Sequence, residues 1–345
     1  MAVFMKPLMG LLGTGPDTYD YAKNYAMCVI VFGGIPTIMS NTLSTLIRSI
    51  GESKRAGFGI TMGGLINIAL DPLFMFIIFP SGMEIVGAGV ATCISNCITC
   101  IYFIGVLYRL GAASPLKLTS PTDLPSKKSI SSIFVVGIPS SIATLLFDLD
   151  YVVIDRLMAG YGDLALAAVG IVLKAERLPL NIGIGICQGM VPILAYNYSS
   201  GNHKRMDEIR RFSRKAGIFC GIVSVILYLL FASQIMRFFI ADATTVSLGA
   251  DFLRIRCLAT PLMFLSFFHV HLFNGFGRGQ EALFLGVMRW AAFNIPMLFI
   301  LNYLIGMYGI VLSQVTADIL TVSLSVYVYR RFEKKYLKSG LSVQD

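Results

Sequence analysis

Charge is what this sequence has least of. Asp, Glu, Lys and Arg make up 14% of its 345 residues, where a water-soluble domain carries about 25%, so a soluble globule is excluded. Histidine occurs only three times, and there is no H-E-x-x-H, no G-x-S-x-G and no Walker loop, so the familiar hydrolytic and nucleotide-driven chemistries lack their signatures. The links between apolar blocks are too short to house a nucleotide-binding domain, which excludes an ATP-driven pump. The seven cysteines are odd in number and lie mainly inside apolar blocks, where a thiol behaves as a small hydrophobe, so no disulfide framework is expected. No secretory signal pattern opens the chain: residues 1–12 are apolar but too few to cross a bilayer.

What the sequence has in excess is apolar surface, 56% of residues with a mean hydropathy of +0.74. At roughly 20 residues per crossing this suffices for about nine helices. Apolar blocks bounded by charge or turn residues place them near 22–47, 57–79, 85–108, 131–155, 164–197, 212–233, 248–275, 281–303 and 306–329. The formal charge of +9 does not point to nucleic acid, because the bases sit in short runs between apolar blocks. Alternate links, together with the C-terminal tail, hold 19 of the 28 Lys and Arg residues, whereas the opposite links hold Lys23, Arg156 and Arg237. Since short cytoplasmic loops retain Lys and Arg, the C-terminus is expected inside and the segment before span one outside. Membrane lipids, not nucleic acid, are the expected surroundings.

The chain also repeats itself. Pro36, Gly51, Asp71-Pro72 and Gly89 are echoed in order by Pro261, Gly277, Ile295-Pro296 and Gly309, at offsets of 225, 226, 224 and 220 residues. Spans one to three thus read as a parallel duplicate of spans seven to nine. The Pro-, Ser- and Lys-containing stretch 109–130 reads as a linker. The expectation is an all-α membrane protein of two lobes: a partial first lobe over 1–109 with about three helices and a fragment, a cytoplasmic linker over 110–130, a complete six-helix lobe over 131–331, and a tail over 332–345. Counterparts of spans four to six should precede span one, so about three helices of the first lobe are expected to be missing from this chain.

An ionisable group in hydrocarbon costs about 2.5–3.5 kcal/mol on insertion scales, so each is a functional candidate. Span four carries Asp148, Asp150 and Asp155 in FDLDYVVID. On a helix Asp148 and Asp155 share a face and Asp150 points nearly opposite, while Asp155 lies near the surface. Span five carries Lys174, Glu176 and Arg177, with Glu176 roughly 18 Å in from the outer end, a depth comparable to that of the aspartates. Asp148, Asp150 and Glu176 therefore read as a carboxylate cluster for a proton or cation, tuned by Lys174 and Arg177. An alternative is an ion-pair lock of Asp148 or Asp150 with Arg177 that only holds the helices together. Pro179, Gly183 and Pro192 make span five easy to kink, which suits a hinge. Asp71, beside Pro72, either helps to hold a cation or caps the helix break. His269 and His271 offer a proton relay but point to different faces, and Cys93, Cys97 and Cys100 share a face with no His or acid beside them, so no metal site is expected. The pairs Gly59/Gly63, Gly185/Gly189 and Gly217/Gly221 read as close helix contacts.

Three stretches carry a resemblance: GIPSSIATLLFDLDYVVIDRLMAGYGDLALAAVGI, LPLNIGIGICQGMVPILAYNYSSGNHKRM, and LIRSIGESK followed by NIALDPLF and GAGVAT. Together they resemble the multidrug and toxic compound extrusion (MATE) family over nearly the whole chain, and GIGICQGMVPILAYNY is similar to its MepA-type branch. The resemblance implies twelve helices in two six-helix lobes, a cavity opening alternately to each side, and export of cationic or amphipathic drugs in exchange for Na⁺ or H⁺. It also implies that the family's second-lobe acid falls nearest Asp148, while Asp150 echoes the first-lobe acid. Span seven lacks the mid-helix acid of the Na⁺-coupled branch. The function expected is secondary transport without cofactor or enzymatic turnover, by a monomer in the cell membrane. Phe147, Tyr151 and Phe268 would add ring contacts for lipophilic cations. The alternatives are an inactive or partner-requiring fragment, and a lipid-linked oligosaccharide flippase, whose expected cationic cavity the mid-membrane acids oppose.

Overall fold

Hydrocarbon offers no partner to backbone N–H and C=O groups, so a chain this apolar must satisfy them within helices. The computed structural model, which describes residues 5–6, 16–80, 82–111 and 126–337, is helical throughout those residues apart from short links. It divides into two compact units, Met1–Leu124 and Pro125–Asp345. Among the described residues six helices are long and apolar enough to cross a membrane, and eight spans result if each of two bent pairs counts as one.

In the first unit α1 (Pro16–Ala26) continues through a π-helical segment, Met27–Phe32, into α2 (Gly34–Ser49). Span one, expected as a single helix, is thus a pair bent by 51°. Both it and α3 (Ser53–Leu73) pack on α4 (Glu84–Leu110) around Leu43, Ile47, Ala56, Phe103 and Leu107. Small residues permit that approach. A Cβ on Gly59 would meet the rings of Phe103 and Tyr102 at 2.5–2.7 Å, and one on Gly63 would strike the Thr99 hydroxyl.

The second unit consists of α5 (Lys127–Ala159), α6 (Asp163–Ser199), α7 (His203–Phe239), the pair α8 (Ala243–Cys257) and α9 (Thr260–Gly275), then α10 (Gly279–Val287), a π-helical segment Met288–Asn294, α11 (Ile295–Ile305) and α12 (Met307–Phe332). Asp242 caps the start of α8 by accepting from the Thr245 backbone and hydroxyl, both at 2.7 Å, which holds its carboxyl below the ordinary carboxylate range. Two apolar clusters form the core. One gathers Ile154, Val172, Phe252, Leu298 and Ile310; the other gathers Met190, Leu194, Phe268, Phe273 and Phe332.

The repeat read in the sequence has a structural echo. Span seven is also a bent pair, α8 and α9 at 46°, matching the 51° bend of span one. Gly51 and Gly277 each follow the end of a helix with positive φ, +91° and +71°, a conformation open to glycine at no steric cost. A π-helical segment follows Pro72 in one copy and ends just before Pro296 in the other.

Span five runs through its prolines as one 37-residue helix, α6, with Pro179 and Pro192 inside it. Buried neighbours hold it, and Phe264 packs 3.1 Å from where a Cβ of Gly183 would lie. Breaks in the helices fall at the bends of spans one and seven. One expectation needs correction, that of the small-residue contacts. Of the three small-residue pairs, Gly185 and Gly189 face open space, whereas Gly217 lies under the Phe264 ring and Gly221 against the Pro261 backbone.

Gly221→Val should therefore push α7 off Pro261, whose Cα lies 2.9 Å from where a Cβ on residue 221 would sit, and cost about 1–3 kcal/mol by overpacking. Gly185→Ala should be neutral. Thermal unfolding of both variants in detergent checks the contrast, and equal midpoints would refute the packing assignment.

Candidate functional site

Between the two apolar clusters of the second unit lies a layer of buried charge. On α6 and α12 the acid falls in the stretch that separates residues of one cluster from residues of the other. Glu176 follows Ala175 on α6, Arg256 precedes Cys257 at the end of α8, and Asp318 sits midway along α12. Asp150 comes from α5, and Arg289 and Asn294 from the π-helical segment. An α-helix would hold residues five apart about 140° from one another; the wider π turn brings Arg289 and Asn294 toward a common side.

The pairing is specific. Glu176 takes both arms of Arg256, Oε1 at 3.0 Å from Nε and Oε2 at 2.9 Å from Nη2, the fork-to-fork geometry in which guanidinium and carboxylate bind most strongly. Arg289 Nη2 lies 2.9 Å from Asp318 Oδ1, and Gln314 donates to the other Asp318 oxygen at 2.8 Å. Asp150, 1% exposed, accepts a 2.6 Å hydrogen bond from the Asn294 amide. Among the described residues it has no ion-pair partner of its own, although Arg256, Arg289 and Asp318 all act on it electrostatically. Three acids thus share the layer with two guanidiniums. With all five ionised it carries one negative charge in excess, and Asp150 is the acid without its own base.

Of the residues singled out in the sequence, the fold unites Asp150 and Glu176 in this layer and separates the others from it. Asp148 is exposed, as its position nearly opposite Asp150 on α5 requires. The acid of span four that meets the buried network is therefore Asp150 rather than Asp148. Lys174 and Arg177 are also exposed. Arg177 lies 5.1 Å over the Tyr151 ring and pairs with neither aspartate, so the base that balances Glu176 is Arg256. Asp71 belongs to the first unit, half-buried, and accepts from Asn67 at 3.1 Å. His269 and His271 point their Nδ1 atoms at the carbonyls of Leu265 and Phe267, at 2.8 and 2.9 Å, and the Ser325 hydroxyl lies 3.1 Å from His269. Phe147 packs edge-on to both Tyr151 and Trp290 at 5.0 Å, while Phe268 is a core residue.

The MatE family model matches residues 139–321, more than half of the chain. The chain belongs to the MatE family. This MatE chain is 27% identical over 331 residues to the multidrug export protein MepA of Staphylococcus aureus strain N315, covering 95% of itself and 71% of that protein. It is 28% identical over 324 residues to MepA of Staphylococcus saprophyticus, covering 93% of itself and 70% of the relative. Among solved structures it is similar in fold to the outward-facing conformation of a multidrug resistance MATE family transporter, with TM-score 0.88 at 20% identity over 98% of this chain and 75% of the other. A MATE crystal structure in complex with MaL6 matches with TM-score 0.87, also at 20% identity and the same coverage. Family membership places the chain among multi-pass membrane transporters rather than enzymes.

Four members of the MatE layer were not singled out in the sequence: Arg256, Arg289, Asn294 and Asp318. Three of them carried the signal that identified Asp150, an ionisable side chain inside an apolar span. Arg256 lies in span seven, Arg289 in span eight and Asp318 in span nine. What the sequence hides is which acid meets which base.

Glu176→Gln or Arg256→Met alone leaves a buried charge without its partner and should cost about 3–5 kcal/mol, whereas the double variant should recover most of that loss. Denaturant unfolding in detergent measures all three. Additive losses would mean that the two side chains do not share one interaction.

Proposed function

We propose that this chain is a secondary multidrug exporter that moves cationic, amphipathic compounds across a cell membrane in exchange for H⁺ or Na⁺ by alternating access. Asp150 is the carboxylate that takes up the coupling ion. The observation that carries this reading is the single excess acid of the buried layer: one proton or one monovalent cation neutralises it. Uptake and release then change the charge of a layer to which α5, α6, α8, α12 and the π-helical segment all contribute, so occupancy bears on how those helices pack.

Asn294 suits both states of such a group. As placed, its Nδ2 donates to the Asp150 carboxylate; rotated by half a turn, the amide presents its carbonyl oxygen to a protonated acid. The substrate class follows from the relatives named multidrug export proteins and from the negative balance of the layer, which opposes the cationic cavity that a lipid-linked oligosaccharide flippase calls for. The distribution of Lys and Arg supports a cytoplasmic C-terminus.

Dye efflux from cells expressing the protein, and exchange in vesicles driven separately by a pH gradient and a sodium gradient, test this reading. Asp150→Asn should lower ion-driven efflux at least about tenfold and abolish the response to whichever gradient drives the unmodified protein, while Asp148→Asn should retain most of that response. Unaltered efflux by Asp150→Asn would remove Asp150 from the coupling step.

A further inference from the structure

The second unit holds a cavity of about 340 Å³ alongside the charged layer. Its apolar wall includes the rings of Phe147, Phe267 and Trp290, and Arg289, His271 and Asn274 supply polar groups. This volume falls in the lower part of the range for small-molecule sites, which combine apolar walls with a few placed polar groups.

Arg289 is the decisive residue. It is 2% exposed, and its guanidinium lies 4.5 Å from the centre of the Phe267 ring and 4.4 Å from that of Trp290. Nη2 lies 2.9 Å from Asp318 Oδ1 as an ion pair, yet Nε, Nη1 and Nη2 are all buried without a hydrogen-bond partner. Charged N–H groups left unpaired in such surroundings carry a desolvation penalty that an incoming acceptor relieves. On the same wall, His271 Nδ1 is 2.9 Å from the Phe267 carbonyl. A proton on Nδ1 donates to that oxygen and leaves Nε2 as an acceptor.

Charge narrows the ligand. Asp318 and Asp150 both act on Arg289, so an anion entering here meets the field of two acids, and a cation meets the guanidinium itself. A neutral acceptor meets neither opposition. We propose that this cavity binds uncharged, flat aromatic carbonyl compounds, the carbonyl oxygen accepting from Arg289 and the rings packing among Phe147, Phe267 and Trp290. This site is separate from the ion-coupling role of Asp150 and stands without it.

Trp290 is the only tryptophan in the chain, so its emission reports on this wall alone. The full chain, purified in detergent, is titrated with acetonaphthone, with ethylnaphthalene as an isostere lacking the acceptor, and with naphthoate as the anionic counterpart, correcting for inner-filter absorption. Saturable quenching by acetonaphthone should occur at roughly tenfold lower concentration than by either of the others, about what one hydrogen bond from a charged donor contributes. Arg289→Lys should erase that preference, and the comparison in the unmodified chain stands even if this variant does not fold. Equal binding of ethylnaphthalene, tightest binding of naphthoate, or quenching that never saturates would each overturn the proposal.

Discussion

Two guanidiniums and three carboxylates enclosed between two apolar clusters are the constraint on which the second unit depends. Neither kind of charge is tolerable there alone, because removal from water costs several kcal/mol per ion unless geometry and hydrogen bonds repay it. Glu176 and Arg256 meet this condition with a two-armed hydrogen-bonded pair, whereas Arg289 and Asp318 meet it through charge alone, with Gln314 donating to the other Asp318 oxygen. Asp150 meets it only in part, through a neutral amide. In charge the layer is matched except at Asp150, which has no ion-pair partner of its own among the described residues.

The same layer links local backbone geometry to chemistry. The π-helical segment Met288–Asn294 interrupts what would otherwise be a regular helix and carries Arg289, Trp290 and Asn294. One widened turn thereby supplies the partner of Asp318, the partner of Asp150 and part of the aromatic wall of the adjacent cavity. Short π segments of this kind are frequent at functional sites. The bends within spans one and seven recur at equivalent places in the two units, so the breaks belong to the duplicated architecture, whereas the buried charges belong to the second unit's own sequence.

Much of the fold was legible beforehand because each span carries its own signal. Apolar length, turn residues and the distribution of Lys and Arg act locally, and the segments read from them fall on helices of the structure. The failures were of another kind. Gly185 and Gly189 have the spacing of a contact pair and face open space. Within the site, Asp150 and Glu176 were legible as buried acids; Arg177 as their partner was not borne out, because it faces outward over Tyr151 while Arg256 arrives from 80 residues further along the chain.

The sequence by itself determined that this is a helical membrane protein with an internally repeated pattern and with ionisable groups inside its spans, since those properties follow from composition and from spacing along the chain. Only the tertiary structure decided which acid is paired, which is left over, and where a cavity opens beside them. Such pairings depend on the rotation of each helix against four or five others, and a rotation of half a turn exchanges Asp148 for Asp150 without changing a single residue.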